Sequence, residues 1–81
     1  MRYVLVGRFT EQLKNFSAPI QGKFWKQLTY LLSNIRHPSL RTKKYDESRG
    51  IWQARVDKSI RFYFLIEGNT YILIEIRHHP K

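Results

Sequence analysis

The chain has 81 residues, of which 42% are apolar and 15% aromatic, enough for one small packed domain and too apolar for a disordered segment. It has no cysteine, which excludes disulfides and thiolate metal sites. Fifteen Lys and Arg against six Asp and Glu give a formal charge of +9, an excess that calls for an acidic partner such as nucleic acid, an anionic surface or an acidic protein. No apolar run approaches the length of a membrane span, and the start, Met1 to Arg8, lacks the apolar stretch of a secretory signal. The expectation is a cytoplasmic protein with no membrane role.

Tyr3 to Val6 is short, apolar and β-branched, and predicts a first strand closed by Gly7. Phe9, Leu13 and Phe16 recur at helical spacing, which predicts a short helix from about Arg8 to Asn15. Ser17 is an N-cap for a second helix, with Pro19 tolerated in its first turn. Along it Ile20, Phe24, Trp25, Leu28, Leu31, Leu32 and Ile35 form one apolar stripe, with Lys23, Lys26, Gln27 and Ser33 mostly off it. His37-Pro38 ends the helix, because the residue before proline disfavours helical angles, and His37 is placed to interact with the helix dipole.

Leu40 to Tyr45 is a basic connector with room for a short strand, and residues 46–50 form a polar turn. Three strands follow at 51–57, 60–67 and 70–77. Alternation sends Trp52, Ala54 and Val56, then Ile60, Phe62, Phe64 and Ile66, then Ile72, Ile74 and Ile76 toward a core. Gln53, Arg55, Arg61, Tyr63, Tyr71, Glu75 and Arg77 then face outward. A plain two-residue hairpin at Gly68-Asn69 would oppose Phe62 to Glu75 and turn Glu75 inward, so a three-residue loop or a bulge is expected there. The whole is one α+β domain over 1–81: strand, helix, helix and a three-strand meander, with two helices on one face of a mostly antiparallel sheet.

From His37 onward the sequence resembles the RelE/ParE superfamily, toxins of type II toxin–antitoxin systems. The matching text is His37-Pro38-Ser39-Leu40-Arg41, Lys43-Lys44-Tyr45, Gly50 to Val56, Ile60-Arg61-Phe62-Tyr63-Phe64, Glu67 to Thr70, and Ile76-Arg77-His78-His79. The resemblance implies a RelE-like fold, an acidic antitoxin, and, for the ribosome-dependent members, cleavage of mRNA without metal or cofactor. It places Arg55, Arg61, Arg77, His79 and, as fallback, His78 in the catalytic cluster. Departures are Pro80 where several relatives have an aromatic, Gln53 where some have lysine, and no carboxylate near Ser39.

The chemistry suits these residue types. Internal attack by a 2′-OH needs charge stabilisation at phosphorus and two proton transfers. Guanidinium forks stay charged and grip phosphate oxygens, and a histidine transfers protons near neutrality. Arg41, Lys43, Lys44 and Tyr63 are candidates for RNA and phosphate contacts. The plainer alternatives are a solvated histidine pair at the end of the sequence and a merely solubilising sheet face. At the level of function the alternatives are a ParE-like gyrase inhibitor and a non-catalytic RNA- or ribosome-binding module.

Overall fold

A computed structural model describes residues 1–79. The elements are β1 (Arg2–Leu5), α1 (Gly7–Lys14), α2 (Ala18–Ser33), a one-turn 3-10 helix (Pro38–Leu40), β2 (Lys43–Asp46), β3 (Ile51–Arg55), β4 (Ile60–Glu67) and β5 (Thr70–His78). The five strands form one sheet in the order β1-β5-β4-β3-β2, antiparallel except for the parallel β1–β5 pair. The expected α+β order holds, and the basic connector does supply a strand, so the meander has four strands. No helix among the described residues is long and apolar enough to cross a membrane.

Both helices cover one face of the sheet. Phe9 and Leu13 of α1 and Phe24, Leu28 and Leu31 of α2 are buried against Ala54, Val56, Ile60, Phe62, Phe64, Leu73 and Ile76. Full burial of each such side chain contributes about 1.5–3 kcal/mol. Ser17 caps α2 as expected, its Oγ accepting from the Ile20 amide at 3.4 Å. The helix ends earlier than His37-Pro38 implies: Asn34 is its C-cap, and Asn34 Oδ1 accepts from the Arg36 amide at 3.0 Å. An Asn side chain that closes its own turn stops a helix without help from proline. His37 lies past the cap; its ring stacks on Tyr30 of the last turn at 3.8 Å, and its Nδ1 accepts from the Ser39 amide that opens the 3-10 turn.

The register of β5 departs from simple alternation. Gly68-Asn69 is a plain two-residue connection, with Glu67 opposite Thr70 and a φ of 59° at Gly68. The expected bulge exists, but it lies six residues further on. Tyr63 opposes Glu75 and Phe64 opposes Leu73, which leaves Ile74 as the extra residue. Side-chain direction flips there, so Tyr71 and Leu73 join Ile76 in the core, against the expected outward Tyr71 and inward Ile72 and Ile74. Downstream of the bulge Glu75 and Arg77 keep their expected outward direction.

Candidate functional site

The sheet face opposite the helices carries two lateral rows of side chains. Pairing of Arg55 with Arg61 and of Arg61 with Arg77 sets three arginines in register across β3, β4 and β5. At the usual strand spacing such a row spans about 10 Å. The next row runs Lys43, Gln53, Tyr63 and Glu75 from β2 to β5.

The two ends of the arginine row differ in their surroundings. Arg41, Lys43, Gln53, Arg55 and Arg61 line a hollow of about 270 Å³, with no carboxylate among its described lining residues. Arg41 reaches it from the turn after the 3-10 helix, where its φ of 46° places it in the left-handed region. Arg61 is on the expected face but is not exposed. Its guanidinium folds along the strand, Nη1 donating to the Asp57 carbonyl at 2.7 Å and to the Ile60 carbonyl at 3.2 Å. Burial first, and then the neighbouring Arg55 guanidinium, hold Arg61 below the ordinary arginine value. Arg55 Nε is buried without a hydrogen-bond partner. A cluster of like charges with an unused buried donor is unfavourable alone and is relieved by an anion.

Arg77, at the other end of the row, shares the unpartnered buried Nε, but its other nitrogens and its ring contact are already engaged. Its guanidinium lies 4.8 Å from the centre of the Tyr63 ring, Nη2 donates to the Tyr45 hydroxyl at 3.1 Å, and Nη1 stands 3.7 Å from Glu75. The Tyr63 hydroxyl, and then Tyr45 and Glu75, outweigh burial and push its pKa above the ordinary value. Tyr63 is itself buried under these groups, at 2% exposure, and so is a platform for Arg77 and not an open stacking surface.

The histidines separate. His78 opposes Ile60 and packs on Phe16, 5.4 Å between ring centres, on the helix side. His79 follows on the parity of Arg77, and its amide donates to the Ser59 carbonyl at 2.7 Å. That bond ties it to the Asp57–Ser59 turn, whose Asp57 carbonyl also anchors Arg61. Asp57 Oδ1 accepts from the amides of Ser59 and Ile60, both at 2.9 Å, so one carboxylate fixes the turn that serves both residues. Lys44 is not brought to the site: it opposes Trp52 and lies 5.5 Å from the centre of that indole, on the helix side. Pro80, the departure noted at the C-terminal cluster, falls outside the described residues.

Two contributors escape sequence reading. Gln27, assigned to the polar side of α2, is 7% exposed. Its Nε2 donates to the carbonyls of Ser39 (3.1 Å) and Arg55 (2.9 Å), and its Oε1 accepts from Ser39 Oγ at 3.2 Å. It pins the 3-10 turn that presents Arg41 to the end of β3 that presents Arg55. Arg8 of α1 reaches Glu75 at 3.3 Å across 67 residues of sequence, a pairing that no local pattern announces.

No family model matches the sequence, and no curated protein matches it. The likeness lies in three dimensions, where the fold is that of the RelE/YoeB type of toxin. A YoeB/ParE toxin from Agrobacterium tumefaciens superposes with a TM-score of 0.82 at 15% identity, covering 99% of this chain and 100% of that one. The toxin in a YoeB–YefM complex from Staphylococcus aureus gives 0.80 at 14% identity, over 99% and 98%. A RelB–RelE antitoxin–toxin complex from Methanococcus jannaschii gives 0.76 at 18% identity, over 93% and 88%.

Proposed function

We propose that this protein is the toxin of a type II toxin–antitoxin pair and that it cleaves mRNA on the ribosome without metal. The observation that carries the reading is the hollow of Arg41, Lys43, Arg55 and Arg61, four cations around a space that no carboxylate of the described residues lines. The fold it shares with toxins solved alone and with their antitoxins adds support.

In the reaction the ribose 2′-hydroxyl gives its proton to solvent water as its oxygen attacks the adjacent phosphorus, the bond to the 5′-oxygen breaks, and a 2′,3′-cyclic phosphate forms. Arg55 and Arg61 hold the non-bridging oxygens and gain strength as charge builds on them. Arg61 is preset for this task, since its donors to Asp57 and Ile60 fix the fork before substrate arrives. His79, two residues beyond Arg77 and tied by its amide to the same turn, transfers a proton to the departing 5′-oxygen. Arg77 orders the neighbouring surface through Tyr63 and Tyr45. The antitoxin is an acidic segment that lies over Arg55, Arg61 and Arg77 and excludes RNA.

Purified protein on ribosomes programmed with a defined mRNA tests this. Cleavage is expected with or without chelator; His79→Ala lowers it roughly a hundredfold while ribosome binding is retained, the usual effect of losing one acid–base group. Arg61→Ala lowers both binding and turnover. A wild type that cuts no RNA on ribosomes yet halts DNA synthesis first in growing cells overturns the reading in favour of gyrase inhibition.

A further inference from the structure

A second hollow, of about 230 Å³, lies on the same face, and its chemistry differs from the first. Tyr45, Arg49, Tyr63, Glu75, Arg77 and Arg8 surround it. Among the described residues Glu75 is the one carboxylate lining either hollow. Its ion pairs, to Arg8 at 3.3 Å and Arg77 at 3.7 Å, both run to Oε2, which leaves Oε1 with accepting capacity. Ile51 and Ile74 add an apolar edge, Ile74 being the extra residue that the bulge turns onto this face.

A carboxylate repels a second phosphate, but it suits a flat ring that offers hydrogen-bond donors. We propose that this hollow is a base-reading subsite selective for guanine, taking the nucleotide beside the phosphate held by Arg55 and Arg61. The proposal rests on the RNA-cleavage reading above and adds the base that the site prefers. Guanine presents two adjacent donors, N1–H and the N2 amino group, next to the O6 acceptor. The donors match Glu75, and O6 matches the guanidiniums of Arg8 and Arg77 that already flank the carboxylate. Adenine and cytosine each offer one amino group beside an acceptor, and uracil offers a single N–H between two carbonyls, so each leaves Glu75 or the arginines less well matched. Tyr45, half exposed and held edge-on to Tyr63 with ring centres 4.8 Å apart, supplies the aromatic wall against which the base stacks.

The test is titration of the whole protein with 5′-GMP, AMP, CMP and UMP, followed by calorimetry, with inorganic phosphate as a base-free probe. GMP is expected to bind about tenfold or more tightly than the others, the discrimination of one good bidentate base contact. Glu75→Gln, which sets an amide donor against guanine's donors, removes that preference while affinity for inorganic phosphate does not fall. Tyr45→Ala weakens GMP and leaves inorganic phosphate unchanged. Equal affinities for the four nucleotides in the wild type, or a preference that survives Glu75→Gln, overturn the proposal. The wild-type ranking decides alone if the variant does not fold. Cleavage of ribosome-bound mRNA with no enrichment of guanine at the cut sites sinks the base assignment only, whereas failure to bind either RNA or nucleotides sinks the cleavage reading with it.

Discussion

Replacement of Gln27 by methionine keeps the length of the side chain and removes every polar atom of the link between α2, the 3-10 turn and β3. Three hydrogen bonds disappear, two of them to main-chain carbonyls. The Ser39 carbonyl sits at an exposed residue and can take water, while the Arg55 carbonyl lies where strand, turn and helix meet. With about 1–3 kcal/mol for a buried acceptor left unmade and about 1 kcal/mol for each of the two remaining bonds, the loss is about 3–5 kcal/mol. A domain of this size has only about 4–12 kcal/mol in total. The melting temperature should therefore fall by roughly 12–40 °C, at the 4–8 °C per kcal/mol typical of small domains. Urea and thermal unfolding followed by circular dichroism measure it, with Thr29→Ala on the exposed side of α2 as control. A second readout is phosphate affinity, which should drop because Arg41 and Arg55 lose their common anchor. A loss of stability below about 0.5 kcal/mol, the scale of an ordinary surface change, would refute the role given to these bonds.

Phosphate or sulfate should raise the melting temperature, since a ligand at a hundred times its dissociation constant stabilises by about 2.7 kcal/mol. Arg55→Ala should abolish that rise without destabilising the free protein, because it relieves the repulsion between Arg55 and Arg61; an undiminished rise would mean the anion binds elsewhere. RNA affinity should fall with salt at a log–log slope of about −0.7 to −0.9 per phosphate contacted. Arg61→Ala should flatten that slope and Lys44→Ala should not, so equal effects would contradict the separation of the two residues by sheet face. Burial pushes the Asp57 carboxyl up, but the amides of Ser59 and Ile60 outweigh it and hold the pKa below the ordinary aspartate value. A depressed carboxyl contributes stability that is complete above the unfolded value of about 3.9 and is lost as pH falls through the folded value. Asp57→Asn should reduce the acid sensitivity in that window; identical pH profiles of unfolding for the two proteins would refute it.

The arginine row was legible because alternation is a local property: Arg55, Arg61 and Arg77 each sit one step from an inward Ala54, Phe62 or Ile76. Their direction followed from neighbours in sequence, and pairing then aligned them. The exposure of Arg61 and Tyr63 was not legible, since it depends on what folds over them, namely Arg61's own return to Asp57 and the Arg77 guanidinium on Tyr63. Tyr71 and Ile74 were placed on the wrong faces because the hydrophobic pattern demanded one extra residue in β5 but did not fix where. The Ile76 amide, just past the bulge, donates to Gln12 Oε1 at 2.9 Å, a partner on α1 that strand reasoning does not include. Gln27 looked like a surface residue because its partners are main-chain carbonyls 12 and 28 positions away, invisible to any periodicity.

The parallel pairing of β1 with β5 also sets a schedule. Residues 2–5 align with residues 70–73, so the first strand made has no partner until the last one has been synthesised. Helices and the β3–β4 hairpin can gather earlier, but closing so long a loop is entropically costly and slow. Arg77 and His79 come with that same final strand, and Glu75 with them. A nascent chain thus keeps an open sheet edge and an incomplete cationic face until β5 has emerged, and completes both in that one step.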